Sequence, residues 1–236
     1  MFGATLAGLG VRRTQYSTMR MVRVPPRPWW WRLRHPFAPR MPWRLPADFK
    51  PPPVPPWFGP PESELGEAVL LRAVLASEAG VAVALVSCVA YSTGFEFGIA
   101  VRSKTDIDSG EMGFRPPPPH GPPPTGSELE IGLEFADGRK ATAHNHPTGQ
   151  MMSFYAAAAE GREPEVPAGP LLMPLGGGGG GRRWDFRYWV WPLPPEGTLT
   201  FICEWPSRGL AKTAYSVDAA GIRRAGGDSK KLWDDG

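Results

Sequence analysis

His144 and His146 have a spacing that can bind a metal ion. Residues i and i+2 of an extended backbone point to the same face, and two imidazoles so placed can hold zinc. A closed zinc site needs further ligands, and only His35, His120, the cysteines and the carboxylates could supply them. Because Pro147 follows the pair directly, we interpret it as two solvated loop histidines and expect no metal site. A metal-dependent enzyme that uses His144 and His146 is the alternative.

A run of six glycines, Gly176–Gly181, also has a chemical interpretation. Its amides and the following Arg182 and Arg183 could hold an anion. A phosphate loop, however, needs Gly-Lys-Ser/Thr before a helix, and here the arginines lead into a predicted strand. We therefore interpret the run as a flexible connection. Asp106 and Asp108 lie in a polar loop, where solvation explains them, and the sequence has no nucleophile elbow. We predict no catalytic residue and no cofactor, so an enzyme is the less favoured class.

The segment Met1–Lys50 carries a large excess of basic charge. It contains ten Arg and Lys residues and one acid, a net charge of +9, so the remaining residues carry −6 of the overall +3. Tryptophans are interleaved with its prolines, whereas a disordered linker is normally poor in aromatics. We expect this segment to dock on its own domain or on a partner. Its residues predicted to bind a partner are Trp29, Trp30, Trp31, Arg32 and Arg34.

Several partners fit such an arm. Positive charge interleaved with tryptophans can bind nucleic acid by counterion release and base stacking. The arm could instead wrap the acidic body, or act as a proline-rich ligand for a groove on another protein; an anionic membrane surface is a further interpretation. We favour an unknown protein partner or intramolecular wrapping, with nucleic acid bound through residues 1–50 as the alternative.

Two cysteines are too few for a disulfide scaffold. Cys88 and Cys203 both fall in predicted strands, so we expect two free, buried thiols, with a single bridge between sheets as the alternative. No stretch approaches the ~20 apolar residues of a membrane-spanning helix. Arg12-Arg13 follow the apolar run Phe2–Val11, whereas a signal peptide has its charge before the run. These features predict a cytoplasmic protein without a transmembrane segment.

The clearest strand pattern lies in WDFRYWVW and TLTFICEW, on either side of a Pro-Pro-Glu-Gly turn. Two alternating runs flanking a turn predict a β-hairpin. We predict that it pairs Leu193 with Thr198, which sets Arg187 opposite Glu204. The other register sets Asp185 opposite Glu204, where like charges repel. The aromatics predicted for the core are Trp184, Phe186, Tyr188, Phe201 and Trp205.

Trp189 and Trp191 fall on the opposite face of this predicted hairpin. Two tryptophans on an outer sheet face must be covered by something. Cover by the Pro-rich arm, or by the loop before the hairpin, is one interpretation, and a platform for a partner or ligand is the other. We include both tryptophans in the predicted partner-binding set.

Other segments also alternate. Val81–Tyr91 and Phe95–Val101 predict a second hairpin, in which Gly94 is free to take a positive φ. Glu128–Phe135 alternates most cleanly and predicts a strand with one wet face. Asp137-Gly138 then supplies a tight-turn signal.

Seven or eight short strands without strand-helix alternation predict an all-β fold. We expect an antiparallel β-sandwich, Ig-like or jelly-roll-like, with a Pro-rich N-terminal arm and a short C-terminal helix. A small closed barrel is the alternative. The helix is expected after Asp218, which can cap it, and a further helical piece at Phe154–Glu160. The predicted organisation is an extended or disordered arm over 1–61, the sandwich over 62–226 and a polar tail over 227–236.

Four motifs resemble a recurring group of uncharacterised actinobacterial proteins. These motifs are STGFEF, FADGR, GGGGGGRRWD and WVWPLPPEG-TLTFICEWP. The resemblance covers Val81–Trp233, leaves out Met1–Lys50 and Met151–Gly161, and implies no activity. From the residues, we predict a non-catalytic intracellular binding or scaffolding module that uses the basic aromatic arm or the outer tryptophan face.

Overall fold

The computed structural model of the chain describes residues 54–78, 80–112, 127–143, 148–167 and 169–233. The chain divides into two compact units, Met1–Asp48 and Phe49–Gly236, and all described residues belong to the second. The described part of this unit is mostly strand in antiparallel sheets, with a short helix near its C-terminal end. This confirms the predicted all-β sandwich.

The larger sheet has six strands. They are β2 (Glu67–Ala68), β3 (Ala73–Glu78), β4 (Val81–Ala90), β5 (Phe95–Ser103), β8 (Leu171–Gly180) and β9 (Arg183–Trp191). Their order is β2-β4-β5-β9-β8, and β3 also pairs with β4. Strand β8 is therefore one edge of this sheet.

The smaller sheet has four strands in the order β11-β10-β6-β7. They are β6 (Glu130–Glu134), β7 (Lys140–Thr142), β10 (Thr198–Trp205) and β11 (Leu210–Asp218). A two-stranded ribbon pairs β1 (Glu64–Leu65) with β12 (Lys230–Lys231). The helices are α1 (Thr148–Ala159) and α2 (Ala220–Gly227), and 3₁₀ turns cover Ser109–Met112 and Pro206–Arg208.

The predicted hairpin between Val81–Tyr91 and Phe95–Val101 is confirmed as β4 and β5. Its turn closes with a hydrogen bond from the Tyr91 amide to the Gly94 carbonyl at 2.8 Å. The reason for glycine at position 94 differs from the expectation, because its φ is not positive. A Cβ there would lie 2.3 Å from the Val190 carbonyl oxygen, so the close approach of β9 requires glycine.

The predicted aromatic hairpin is wrong. Its two arms are β9 and β10, and they lie in different sheets: β9 pairs with β5 and β8, and β10 pairs with β6 and β11. Both registers considered for this hairpin, the one that pairs Leu193 with Thr198 and the one that sets Asp185 opposite Glu204, are therefore wrong. Arg187 donates to Glu96 at 3.3 Å instead of meeting Glu204. An alternating run buries one face in either sheet of a sandwich, so the pattern alone does not separate a hairpin partner from a strand of the facing sheet.

The two arms still bury their apolar faces together, because those faces meet across the sandwich. The Phe97 ring stacks on Tyr188 with centroids 5.3 Å apart, and it meets Phe201 of the other sheet edge-on, also at 5.3 Å. The five aromatics predicted for the core are all buried. Each belongs to the cluster between the sheets.

The smaller elements follow the sequence more closely. Leu129, Ile131, Leu133 and Phe135 are buried, as their alternation predicts. Gly138 has a φ of +82°, which confirms the tight turn that leads into β7. Helix α1 is longer than the predicted helical piece. Helix α2 begins at Ala220, one residue later than a cap at Asp218 predicts, because its N-cap is Ala219. The Asp218 carboxylate still accepts a hydrogen bond from the Ala220 amide at 2.8 Å.

Candidate functional site

The glycine run is a strand, not the flexible connection that we predicted. Gly176–Gly180 form the second half of β8 and pair with β9 residue by residue. All five of these glycines are exposed. In the described part of the chain, β8 has a strand neighbour on one side only. The exposed glycine edge, defined as Gly176–Gly180, is therefore a sheet edge without side chains.

The hydrogen bonds between β5 and β9 determine which backbone groups of β8 face the open edge. The Ser103 amide donates to the Arg182 carbonyl at 3.0 Å. This bond makes the facing residues Arg102 and Arg183 a non-hydrogen-bonded pair of β5 and β9. Every second residue of β9, starting at Arg183, therefore directs its backbone groups away from β5 and toward β8.

The partners of those β9 residues are Gly180, Gly178 and Gly176. These three glycines use their amides and carbonyls within the sheet. By the same alternation, the amides and carbonyls of Gly177 and Gly179 face away from β9, toward the edge. Gly177 and Gly179 thus offer two consecutive positions at which the backbone of a further strand could form hydrogen bonds.

Glycine is required at the two edge-facing positions. A Cβ on Gly179 would lie 2.2 Å from the Arg183 carbonyl oxygen and 2.9 Å from the Trp184 indole, and one on Gly177 would lie 2.5 Å from the Phe186 ring. The rings of Trp184 and Phe186 stack with centroids 6.2 Å apart. A Cβ on Gly178 or Gly180 would meet nothing within 4 Å. Gly177 and Gly179 are thus required by the close approach of β9, Gly176 is favoured by its φ of +143°, and Gly178 and Gly180 are open.

The arginines after the run do not form the anion site considered from the sequence. Arg182 contacts Asp106 at 3.4 Å, and Arg183 contacts Asp185 at 3.2 Å. Asp185 also accepts from Arg102 at 2.7 Å. Partial burial raises the pKa of Asp185, but the hydrogen bonds from Arg102 and Arg183 together outweigh it and hold the pKa below its usual value. Each arginine thus already contacts a carboxylate of the chain itself, and Arg183 shares its carboxylate with Arg102.

Trp189 is completely buried, which corrects its assignment as an accessible partner-binding residue. Its indole nitrogen donates to the Pro56 carbonyl at 3.0 Å, and the Tyr91 ring meets it edge-on at 5.7 Å. We name the segment Val54–Gly59 the strap. Because the strap lies at the end of the predicted arm, cover by the arm is the interpretation that holds for Trp189. Trp191 is half-buried on the same strand.

The strap is itself anchored by apolar contacts. Trp57 is 1% exposed, and its ring meets Phe154 of α1 edge-on at 5.7 Å. A cleft of about 670 Å³ lies beside it, lined by Val54, Pro55, Pro56, Trp57, Phe154 and Val166 among others. Trp57, Trp189 and Met173 are buried outside the cluster between the sheets. The outer face of the larger sheet thus carries apolar packing of its own.

A second cleft, of about 330 Å³, includes Glu64, Ser92 and Arg223 in its lining. The Glu64 carboxylate accepts from the Ser92 amide at 3.0 Å and from its hydroxyl at 2.5 Å. Arg223 donates to the Pro194 carbonyl at 3.0 Å. These groups join separate segments of the chain, so the cleft is lined by side chains that hold the fold together.

One partly buried ion pair ties the two sheets. Arg208 donates through two nitrogens to both oxygens of Glu111, each at 2.6 Å, and through a third contact to the Asp106 carbonyl at 2.9 Å. The guanidinium also lies 5.7 Å from the Trp205 ring centroid. The Arg208 hydrogen bonds lower the pKa of Glu111. This arrangement fixes the loop after β5 to the end of β10.

Both cysteines are free and buried. Cys88 lies in the larger sheet and Cys203 in the smaller one. Because neither is bonded to the other, the alternative of a bridge between sheets is wrong. Burial, reinforced by a nearby glutamate, raises the pKa of each thiol to about 12. Neither thiol is set up as a nucleophile.

Several predicted site residues lie outside the described residues. They are Trp29, Trp30, Trp31, Arg32, Arg34, His35, His120, His144 and His146. Within the described ranges, no group of three or more His, Cys, Asp and Glu side chains could hold a metal ion. No helix in those ranges is long and apolar enough to cross a membrane.

Comparison with known proteins identifies no relative: no protein-family model, no curated protein and no solved structure matches the chain. The resemblance to actinobacterial proteins stays a prediction. Sequence reasoning missed the glycine edge as a site, although a signal for it was present. A strand-like LLMPL run, a glycine tract and then an alternating strand are consistent with two arms of one hairpin.

Proposed function

We propose that this chain is a non-catalytic protein-binding module that takes an extended segment of a partner protein as a further strand on the exposed glycine edge. The carrying observation is that Gly177 and Gly179 present backbone donors and acceptors on an exposed strand edge. In strand addition, main-chain hydrogen bonds of this kind supply the affinity.

Other edges of the two sheets carry features that discourage pairing. The edge strand β7 has only three residues, and β11 exposes Lys212 on its surface. Short edge strands and exposed lysines are two ways in which proteins prevent unwanted strand addition. Strand β8 carries Pro174 and a bulge between Pro174 and Gly176, which interrupt pairing in its first half. The five residues Gly176–Gly180 that follow have no lysine, no proline and no side chains.

Glycine also lowers the steric cost of approach. An incoming strand lies about 4.8 Å from β8, and no β8 side chain limits which partner side chains fit over Gly178 and Gly180. Because Gly177 and Gly179 are already held in register by β9, part of the ordering cost of the receiving strand has been met before binding. A scaffold that accepts varied extended segments follows from this geometry.

The test uses the full-length chain labelled with ¹⁵N-glycine and a capped neutral peptide, Gln-Val-Thr-Val-Gln. In antiparallel register, the two valines face Gly177 and Gly179 with their backbone groups. We expect the amide signals of Gly177 and Gly179 to shift and their hydrogen exchange to slow. The same peptide N-methylated at both valines should lose this effect, whereas N-methylation at threonine should preserve it. Equal responses to both methylated peptides would contradict strand addition.

Nucleic-acid binding through Met1–Lys50 is the second candidate, favoured by the net charge of +9 in that segment. Affinity for a single-stranded oligonucleotide should then fall steeply with salt. It should also weaken strongly when Trp29–Trp31 become alanine and Arg32 and Arg34 become glutamine. Unchanged binding by this full-length variant would rule out these arm residues as the contact.

A further inference from the structure

The side chains beside the exposed glycine edge indicate which kind of segment it binds. On the outer face of β9, Arg187, Asp185 and Arg183 stand opposite Gly176, Gly178 and Gly180. The glycines contribute nothing above the sheet, so this charged row is the first set of side chains that an added strand would meet on that face.

The row carries surplus positive charge. Asp185 accepts from both Arg102 at 2.7 Å and Arg183 at 3.2 Å, so a single carboxylate serves two guanidiniums. Arg187 is paired with Glu96 at 3.3 Å. Three arginines therefore face two acids across these contacts. The Arg183 side chain is 73% exposed and that of Arg187 is 51% exposed, so both can accept a further partner.

Side chains on an added strand are long enough to contact the arginines of β9. An added strand is two strand spacings from β9, roughly 9.6 Å between backbones. Its outward side chains opposite Gly176 and Gly180 would lie across the bare glycine strand, and a glutamate extending from one side can meet an arginine extending from the other. The position opposite Gly178 would face Asp185, where an acid is unfavourable.

Building on the proposed function, we infer that the partner segment is acidic, with carboxylates at its outward positions opposite Gly176 and Gly180 and an uncharged residue between them. A second copy of this chain is a poorer occupant. Two glycine edges paired antiparallel would bring the same surplus positive charge from both sides, so their charges are not complementary.

The test compares three capped peptides, Glu-Val-Thr-Val-Glu, Gln-Val-Thr-Val-Gln and Lys-Val-Thr-Val-Lys, on the ¹⁵N-glycine-labelled full-length chain. Affinity is read from the Gly177 and Gly179 amides. Signals of Gly3, Gly8 and Gly10 report peptide held by the basic arm instead. We expect the acidic peptide to bind roughly 3–10-fold more tightly than the neutral one, since exposed ion pairs are individually weak. The basic peptide should bind least, and 1 M salt should remove the differences.

The matched variants assign the preference to the arginine row. Arg183→Gln with Arg187→Gln should bring the three affinities within about twofold of one another. Arg162→Gln, which removes an arginine of similar exposure beyond α1, should leave the order of the three affinities unchanged.

If all three peptides shift the Gly177 and Gly179 amide signals equally in the unmodified chain, the acidic partner is wrong while strand addition stands. If none moves these amides, the proposed function fails. Shifts at Gly177 and Gly179 that grow with protein concentration, without peptide, would identify a second copy as the occupant.

Discussion

The indole nitrogen of Trp189 donates a hydrogen bond to the carbonyl of Pro56, 133 positions away in the chain, at 3.0 Å. This bond joins a central strand of the larger sheet to the strap that precedes the first strand. It turns a tryptophan that the sequence places on an outer face into a buried anchor. Because Trp189 is covered, the surface that we propose for binding is the exposed glycine edge of the same sheet and not the tryptophans.

Trp189→Phe should loosen the strap. The phenyl ring keeps much of the packing but cannot donate to Pro56, and it leaves a small void, so we expect a loss of about 1–3 kcal/mol in the free energy of unfolding. Denaturant unfolding measures this loss, and limited proteolysis between 54 and 59 should accelerate. Trp191→Phe is the matched control, because Trp191 is only half-buried. Equal losses for the two variants would contradict an anchoring role for the hydrogen bond.

Glycines within the run should differ in their tolerance of alanine. Gly179→Ala places a Cβ 2.2 Å from the Arg183 carbonyl oxygen, whereas Gly178→Ala places it in open space. We expect the first change to destabilise the fold by about 1–3 kcal/mol. The second should be neutral or stabilise it by up to about 1 kcal/mol, because alanine reduces the freedom of the unfolded chain. Urea denaturation of both variants measures the difference, and equal stabilities would contradict the described β8–β9 packing.

The sequence predicted which side chains enter the core better than it predicted which strands are neighbours. Period-2 alternation depends on burial of one face, and the predicted core aromatics of β9 and β10 are indeed buried. Pairing depends on contacts distant in sequence. Strand β9 pairs with β5 and with β8, and the exposed half of β8 has no side chains to produce an alternating pattern. Composition therefore suggested a flexible linker where the sheet continues.

The candidate site was harder to predict for the same physical reason. Its donors and acceptors are backbone groups of Gly177 and Gly179, and glycine has no side chain whose alternation could indicate which of them face an edge. Trp189 carried the stronger chemical signal, but its cover comes from Pro56, far away in the sequence. The thiols were predictable, because free cysteines in apolar strands are usually buried.

Cys88 and Cys203 should be unreactive in the folded protein. With pKa values raised to about 12 by burial, roughly one thiol in 10⁴ is ionised at pH 8, and burial also blocks access. A thiol-reactive chromogenic disulfide should therefore titrate both cysteines only after unfolding in guanidinium. Rapid release of one equivalent from the native chain would show that a thiol is accessible.

The ion pair between Arg208 and Glu111 should make stability depend on pH in the acidic range. Hydrogen bonds from Arg208 lower the pKa of Glu111 in the folded chain, so the unfolded chain binds the proton more tightly. The stabilisation is therefore complete above the unfolded-state pKa of a glutamate, about 4.3. It is lost as the pH falls through the lower folded-state pKa.

Arg208→Lys, which cannot form the two-nitrogen contact, should reduce the free energy of unfolding by roughly 1–3 kcal/mol at pH 7. Glu111→Gln should destabilise at pH 7 as well, but should flatten the fall in melting temperature between about pH 5 and pH 3. Lys140→Gln is the control, because its pair with Glu134 is largely exposed and should contribute little. If the melting temperature of Glu111→Gln falls between pH 5 and pH 3 as steeply as that of the unmodified chain, this ion pair is not a source of the acid sensitivity.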